Sequence, residues 1–179
     1  WWGRILIIPV VGSMIIVYIL DPLVRGLARL GLHRALEDGE GELTTLEELW
    51  GGEAIRMNEG GCDPDGRFYC GSMAYDRTPG AASVHRLDPD GSTTVVIEGV
   101  TISNGIDWSP DGTLAFYVDT DTERIDVFDH DPEQGLTHRR PFVELADGRP
   151  DGLVVDSEGG VWVAVNRTGA VHRYTSAGV

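Results

Sequence analysis

The chain has 179 residues and a net charge of −15, with 29 acidic residues against 14 basic ones. A surface this acidic repels the phosphates of nucleic acids and of anionic lipids, which argues against nucleic-acid binding and is compatible with cation binding. The length is sufficient for one substantial hydrophobic core. All of the basic residues are arginine, and this acidic, lysine-free composition leads us to expect a cytoplasmic protein.

Residues 1–34 differ from the rest of the chain because they carry four arginines and one acidic residue. Residues 5–20 are almost entirely apolar, but the run is shorter than the roughly 20 residues that span a bilayer. The segment is a membrane anchor flanked by arginines, the buried strands of an earlier repeat, or sequence unrelated to the fold. We favour the last two interpretations and therefore do not expect membrane binding. If the protein does bind a membrane, we expect residues 1–34 to be the anchor. We treat residues 1–34 as separate from residues 35–179.

From residue 35 onward the pattern is typical of β-structure. Residues 83–87 and 92–97 flank the turn sequence Asp88-Pro-Asp-Gly91, which predicts a hairpin. Residues 124–129 alternate between apolar and polar side chains, as a half-buried strand does. No long amphipathic helix is visible after residue 50, so we predict an all-β fold.

Three segments of the chain, residues 62–70, 107–117 and 155–163, look like copies of one another. Each consists of a strand, an acidic residue followed by glycine, and a second strand. The turns at Asp65-Gly66, Asp111-Gly112 and Glu158-Gly159 are about 46 and 47 residues apart. A period of this size built from short strands is typical of β-propeller blades. We predict that residues 35–179 form about three to four blades of a β-propeller.

A short polar motif precedes each of these turns by a similar distance. The three motifs contain Asn58, Asn104 and Asp151. Because they occupy equivalent positions in successive repeats, we expect these three side chains to surround one mouth of the propeller channel. An isolated Asn-Gly or Asp-Gly pair usually only shapes a turn, but three equivalent positions favour a functional site.

These motifs, within residues 56–73, 102–112, 125–129 and 150–164, resemble the regucalcin (senescence marker protein)/gluconolactonase/LRE-like family. The resemblance covers roughly residues 40–179. It implies a six-bladed propeller, of which this chain is a fragment, with one divalent metal ion at the mouth of the channel. It also implies the hydrolysis of sugar lactones.

The resemblance assigns roles to individual residues. Asn104 and Asp151 match metal ligands, and Asp151 also matches the catalytic residue that handles the proton. Arg56 and Asn58 match a substrate-binding pair, and Asp76 falls where a substrate-contacting acid is found. A carboxylate with an amide oxygen suits a hard cation such as Ca²⁺, with Mg²⁺, Mn²⁺ or Zn²⁺ as alternatives.

The chain departs from the family pattern in two places. Glu59 stands where the family motif usually has Asp. The first blade of the family supplies a glutamate ligand, whereas residues 1–34 contain no glutamate. Two functions therefore stay open at this stage: a metal-dependent lactonase acting on a small sugar lactone, and a Ca²⁺-binding propeller scaffold or truncated fragment without turnover. The sequence does not indicate an oligomeric state.

Overall fold

The computed structural model describes residues 35–37, 43–45 and 48–179. The chain divides into two units, Trp1–Leu49 and Trp50–Val179. In the first unit, strand β1 (Ala35–Glu37) pairs antiparallel with strand β2 (Leu43–Thr45). The apolar segment lies outside the described residues, so its separation from the propeller at residue 34 stays a prediction.

The second unit consists of three antiparallel sheets that follow one another along the chain. The first blade contains β3 (Ile55–Cys62), β4 (Phe68–Ala74), β5 (Ala82–Leu87) and β6 (Thr93–Val100). The second blade contains β7 (Ser103–Trp108), β8 (Leu114–Asp119), β9 (Arg124–Asp131) and β10 (Gly135–Glu144). The third blade contains β11 (Arg149–Val155), β12 (Val161–Asn166) and β13 (Ala170–Tyr174).

Each sheet is an up-and-down meander in which every strand pairs with its neighbour in sequence. Among the described residues, the only helical segment is a 3₁₀ turn over Thr120–Thr122, between β8 and β9. None of the described residues belongs to a helix with the length and apolar character needed to cross a membrane. The prediction of an all-β fold with propeller blades is confirmed.

The repeated acidic-glycine turns close the first hairpin of each blade. In the second blade, the Gly112 amide donates a hydrogen bond of 2.8 Å to the carbonyl oxygen of Ser109. Gly112 has a φ angle of +70°, a backbone conformation that glycine adopts without the steric penalty of a side chain. Equivalent hydrogen bonds join Gly66 to Asp63 and Gly159 to Asp156. The repeat that is visible in the sequence is therefore a repeat of turn geometry.

The second blade packs against both of its neighbours through opposite faces of β8. Ala115 and Tyr117 belong to one core cluster, whereas Phe116 and Val118 belong to the other. This division follows from the two-residue period of a strand. The first cluster joins the first two blades through Tyr69, Ala82, Val84, Ile97, Val100, Ile106, Trp108 and Phe128. The second joins the last two blades through Ile125, Val127, Leu145, Leu153, Val161, Val163 and Val165.

We expect Phe116→Ala to destabilise the protein by about 3–5 kcal/mol, because truncation of a large buried aromatic residue loses apolar contact and leaves a cavity. Phe116 is 1% exposed and its ring packs edge-on against Phe142 with centroids 4.8 Å apart. Urea unfolding measures the change. Val171→Ala is the control, since Val171 is 63% exposed and should change the free energy of unfolding by about 0.5 kcal/mol or less. Equal losses in the two variants would contradict the assignment of this core.

Candidate functional site

The first strand of each blade carries a β-bulge at an equivalent position. In β3, Met57 pairs with Ser72 and Gly60 pairs with Cys70, so one extra residue is accommodated between them. The same shift occurs between Ser103 and Ile106 in β7. It occurs again between Pro150 and Leu153 in β11. The bulged segments are therefore Asn58-Glu59, Asn104-Gly105 and Asp151-Gly152. Bulges redirect side chains and are common beside active sites.

A hydrogen-bond path joins the bulge of the first blade to that of the second. Arg56 donates from Nη1 to Asn58 Oδ1 at 2.8 Å. The two hydrogens of Asn58 Nδ2 go to the Ser103 carbonyl at 2.6 Å and to Asn104 Oδ1 at 3.2 Å. Asn104 Nδ2 donates in turn to Thr120 Oγ1 at 2.7 Å. The structure thus brings together three of the residues that the sequence predicts for the site.

The third blade joins this path through its backbone. Thr120 donates from Oγ1 to the carbonyl oxygen of Pro150 at 2.8 Å, and Asp151 is the next residue. Burial raises the pKa of Glu59 to about 7, and the negative charge of Asp151 adds to this effect. The carboxyl groups of Glu59, in the bulge of the first blade, and Asp151, in the bulge of the third, therefore repel each other when both are ionised.

Glu59 is a further candidate residue, which the sequence motif identifies only as a replacement for aspartate. The signal that could have identified it is its position within the bulge, directly after Asn58. Glu59 is half-buried and the negative charge of Asp151 acts on its carboxyl group, so Glu59 joins the candidate site.

The glycine of the second bulge has a packing role. A Cβ atom at Gly105 would overlap the backbone nitrogen of Leu153 in β11. Glycine at this position therefore lets the backbone of β7 lie close to the backbone of β11. The bulges of the second and third blades, which these two strands carry, come close to each other as a result. The Asn-Gly pair, which can be an ordinary turn signal, here lies inside a strand.

Arg56 and Asp76 have different surroundings. Arg56 Nη2 donates to the Met73 sulfur at 3.1 Å, and the guanidinium lies 5.9 Å from the centre of the Tyr75 ring. Asp76 lies in the exposed loop after β4, where Oδ1 accepts hydrogen bonds from the Thr78 amide at 3.0 Å and hydroxyl at 2.8 Å. These bonds lower the pKa of Asp76. The loop meets the site through Tyr75, while the Asp76 carboxylate is held by its own loop, so its substrate role stays a prediction.

A second polar cluster lies beyond the opposite, C-terminal end of β3. Asp63, Asp65 and His130 bring three potential metal-ligating atoms within 4.8 Å of one another. However, the Arg67 guanidinium already lies between them. It donates from Nε to Asp63 and from Nη2 to Asp65 at 3.2 Å, and Nη2 is 3.0 Å from His130 Nε2. The cation of this cluster is therefore the side chain of Arg67, which would compete with a metal ion for the same carboxylate and imidazole atoms.

This second polar cluster, called the arginine cluster from here on, consists of Asp63, Asp65, Arg67 and His130 and connects the first blade to the second. Arg67 donates from Nη1 to the Pro132 carbonyl at 2.9 Å, and His130 Nδ1 lies 2.7 Å from the carbonyl oxygen of Gly112. A carbonyl only accepts, so Nδ1 carries the proton and Nε2 accepts from Arg67. Burial opposes ionisation of Asp63, but hydrogen bonds and positive charge from Arg67 hold its pKa below the usual range. The buried ion pair of Arg67 with Asp63 is thus a link between the two blades.

We expect Asp63→Asn to destabilise the protein by roughly 3–5 kcal/mol near pH 7, because it leaves a buried guanidinium without its main partner. The pKa of Asp63 is depressed below 3.8 in the folded state. Its stabilising contribution is therefore present above pH 3.8 and is lost as the pH falls through the folded pKa. Urea unfolding at pH 7, 4.5 and 3 should show the difference from the unsubstituted chain shrinking at the lowest pH.

Asp65→Asn is the matched control for this experiment. The Asp65 side chain is 39% exposed and contacts the same guanidinium, so its loss should cost about 1 kcal/mol or less. A difference for Asp63→Asn that is the same at pH 3 and pH 7 would contradict the assignment.

Comparisons with known proteins agree with this architecture. Residues 22–179 match the family model described as the SMP-30/gluconolactonase/LRE-like region. Regucalcin of Danio rerio is 37% identical over 136 residues, which are 73% of this chain and 46% of that protein.

Two solved structures extend the comparison. A calcium-binding protein, regucalcin, from Agrobacterium tumefaciens superimposes with a TM-score of 0.73 at 32% identity over 83% of this chain and 52% of its own. A gluconolactonase from Xanthomonas campestris has a TM-score of 0.64 at 24% identity over 82% of this chain and 53% of its own, which supports the fold alone. Such relatives are six-bladed propellers. The chain spans about half the length of the proteins that it matches.

Proposed function

Because the chain belongs to the SMP-30/gluconolactonase/LRE-like family, we propose that it provides the substrate-binding and proton-transferring residues of a metal-dependent hydrolase that opens sugar lactones. The observation that carries this proposal is the polar path from Arg56 through Asn58 to Asn104. The carboxyl groups of Glu59 and Asp151 lie near each other within the same set of bulges. Together these residues offer acceptors for a cation, donors for a sugar and an acceptor for a proton.

The donor set fits one divalent cation. Asn104 Oδ1 and the Asp151 carboxylate would hold it, and the second carboxyl group, that of Glu59, adds negative charge nearby. Oxygen donors without histidine favour a hard cation, with Ca²⁺ first and Mg²⁺, Mn²⁺ or Zn²⁺ as alternatives. When bound, such an ion polarises the carbonyl group of the ester and lowers the pKa of a coordinated water.

The residues of the chain supply the remaining steps. Arg56 donates three hydrogen bonds from Nη1 and Nη2, to Met57, Asn58 and Met73. A guanidinium has five N–H donors, so its two remaining N–H groups can donate to hydroxyl groups of a sugar ring. Asp151 accepts the proton of the attacking water as the new C–O bond forms. The ring C–O bond then breaks, and the departing oxygen takes the proton to give the open-chain acid. Asp76 would contact substrate after its carboxylate leaves Thr78.

Binding of Ca²⁺ without turnover is the second candidate function. The Agrobacterium relative is described as a calcium-binding protein, which favours this candidate. Lactone hydrolysis and cation binding separate the two functions, because a scaffold binds the ion and leaves a lactone intact. A cytoplasmic location stays a prediction from composition.

We expect Asp151→Asn to lower the rate of glucono-1,5-lactone hydrolysis by about 10²–10⁴-fold, because the amide cannot accept the proton from water. The rate is followed by the acid released at constant pH, with chelator added in a parallel assay. Asp147→Asn is the matched control, since Asp147 is an exposed acid four residues earlier and should leave the rate unchanged. Hydrolysis that survives both Asp151→Asn and chelation would refute the proposed mechanism.

We expect excess Ca²⁺ or Mn²⁺ to raise the melting temperature relative to chelator, since a ligand that binds only the folded state stabilises it. Asn104→Leu should abolish this rise because it removes the amide oxygen. Asp65→Asn should preserve it, because the arginine cluster is already occupied by Arg67. The opposite pattern, with the rise lost only in Asp65→Asn, would move the cation to that cluster.

A further inference from the structure

The hydroxyl of Thr120 determines which way the Asn104 amide faces. The carbonyl oxygen of Pro150 can only accept a hydrogen bond, so the contact of 2.8 Å uses the single hydrogen of the Thr120 hydroxyl. The contact of 2.7 Å between Thr120 Oγ1 and the Asn104 amide must therefore have Nδ2 as the donor. Consequently, Asn104 Oδ1 points away from Thr120, where it accepts from Asn58 at 3.2 Å.

Thr120 is itself held firmly. Its side chain is buried, with the residue 6% exposed, and its amide donates to the Ile102 carbonyl at 3.0 Å. The preceding residue, Asp119, accepts from the amides of Thr101 and Ile102, each at 3.0 Å. The chain segment immediately before β7 therefore fixes the backbone that carries the Thr120 hydroxyl.

The same hydroxyl also contacts the backbone next to the second proposed ligand. Pro150 directly precedes Asp151, and it belongs to the third blade, whereas Thr120 and Asn104 belong to the second. A single oxygen atom thus connects the side chain of Asn104 to the main chain at Asp151. Its loss would free the Asn104 amide to rotate and would remove one link between the two bulges.

We propose that Thr120 is a positioning residue that presents the oxygen, and not the nitrogen, of Asn104 to the cation of the proposed site. This inference rests on the proposed function for its cation, while the amide orientation stands on the hydrogen bonds alone. An amide oxygen has two lone pairs; Asn58 takes one, and the other serves the cation. With the amide reversed, Nδ2 would face both Asn58 Nδ2 and the cation, and Asn104 would offer the cation no ligand atom.

The test compares three substitutions in the 179-residue chain. Thr120→Val keeps the size and removes the hydroxyl, Thr120→Ala removes it without overpacking, and Thr120→Ser retains it. Thr101→Val is the matched control, because Thr101 is also buried, at 7% exposed, and its hydroxyl accepts only a hydrogen bond from the Gly80 amide at 3.1 Å. Melting in chelator shows the structural cost of each change.

Two readouts are measured. The first is the NMR signal pair of the Asn104 side-chain amide in chelator, identified by its loss in Asn104→Asp, together with its rate of hydrogen exchange. The second is the affinity for Mn²⁺, taken from the EPR signal of the free ion. We expect Thr120→Val and Thr120→Ala to accelerate exchange and to weaken Mn²⁺ binding about 10–100-fold, as loss of a partner that orients a metal ligand does. Thr120→Ser and Thr101→Val should resemble the unsubstituted chain.

The possible failures are distinguishable. Unchanged amide exchange or unchanged Mn²⁺ affinity in both Thr120→Val and Thr120→Ala overturns the role of Thr120, while the cation site itself stands. Equal weakening of Mn²⁺ binding by Thr101→Val overturns it as well, since the effect would then be general destabilisation. If the unsubstituted chain binds no Mn²⁺, the proposed cation site fails. The amide exchange then decides alone whether Thr120 orients Asn104.

Discussion

One extra residue in the first strand of each blade is the constraint on which the site depends. These strands lie side by side so closely that Gly105 cannot carry a side chain against β11. In a regular strand, successive side chains alternate between the two faces, and both faces of the middle blade are committed to apolar cores. The bulges at Asn58-Glu59, Asn104-Gly105 and Asp151-Gly152 interrupt this alternation. Polar groups can therefore meet between blades without entering either core.

The grouping of these polar residues could be predicted because the bulges recur with the blades. Equivalent spacing placed Asn58, Asn104 and Asp151 in one set, and the hydrogen bond between Asn58 and Asn104 follows from it. The strand pairing that makes these positions bulges is not visible in a single sequence, since register depends on the partner strand. Glu59 was underestimated for that reason: its pKa depends on burial and on Asp151, which is 92 residues away in the chain.

Thr120 and Arg67 could not be predicted at all from local pattern. Thr120 lies outside every repeated motif, and it meets Asn104 because Asp119 pairs with Ser103 across the sheet. Arg67 follows an ordinary acidic-glycine turn, and only the packing of two blades brings it to His130. The carboxyl groups near β3 are consequently compensated to different degrees. Beyond the C-terminal end of the strand, the Arg67 guanidinium pairs with the buried Asp63 carboxylate, whereas at the bulge in the middle of the strand burial and the negative charge of Asp151 raise the pKa of Glu59.

The close approach at Gly105 has a consequence for how this protein tolerates change. Any side chain at that position would act as a wedge between the second and third blades and would move Asn104 relative to Asp151. A saturation mutagenesis screen scored by activity would therefore rank Gly105 among the essential positions, although glycine has no functional group. Positions that matter for spacing and positions that matter for reactivity would look alike in such a screen. They separate only when the same library is also scored for folded protein.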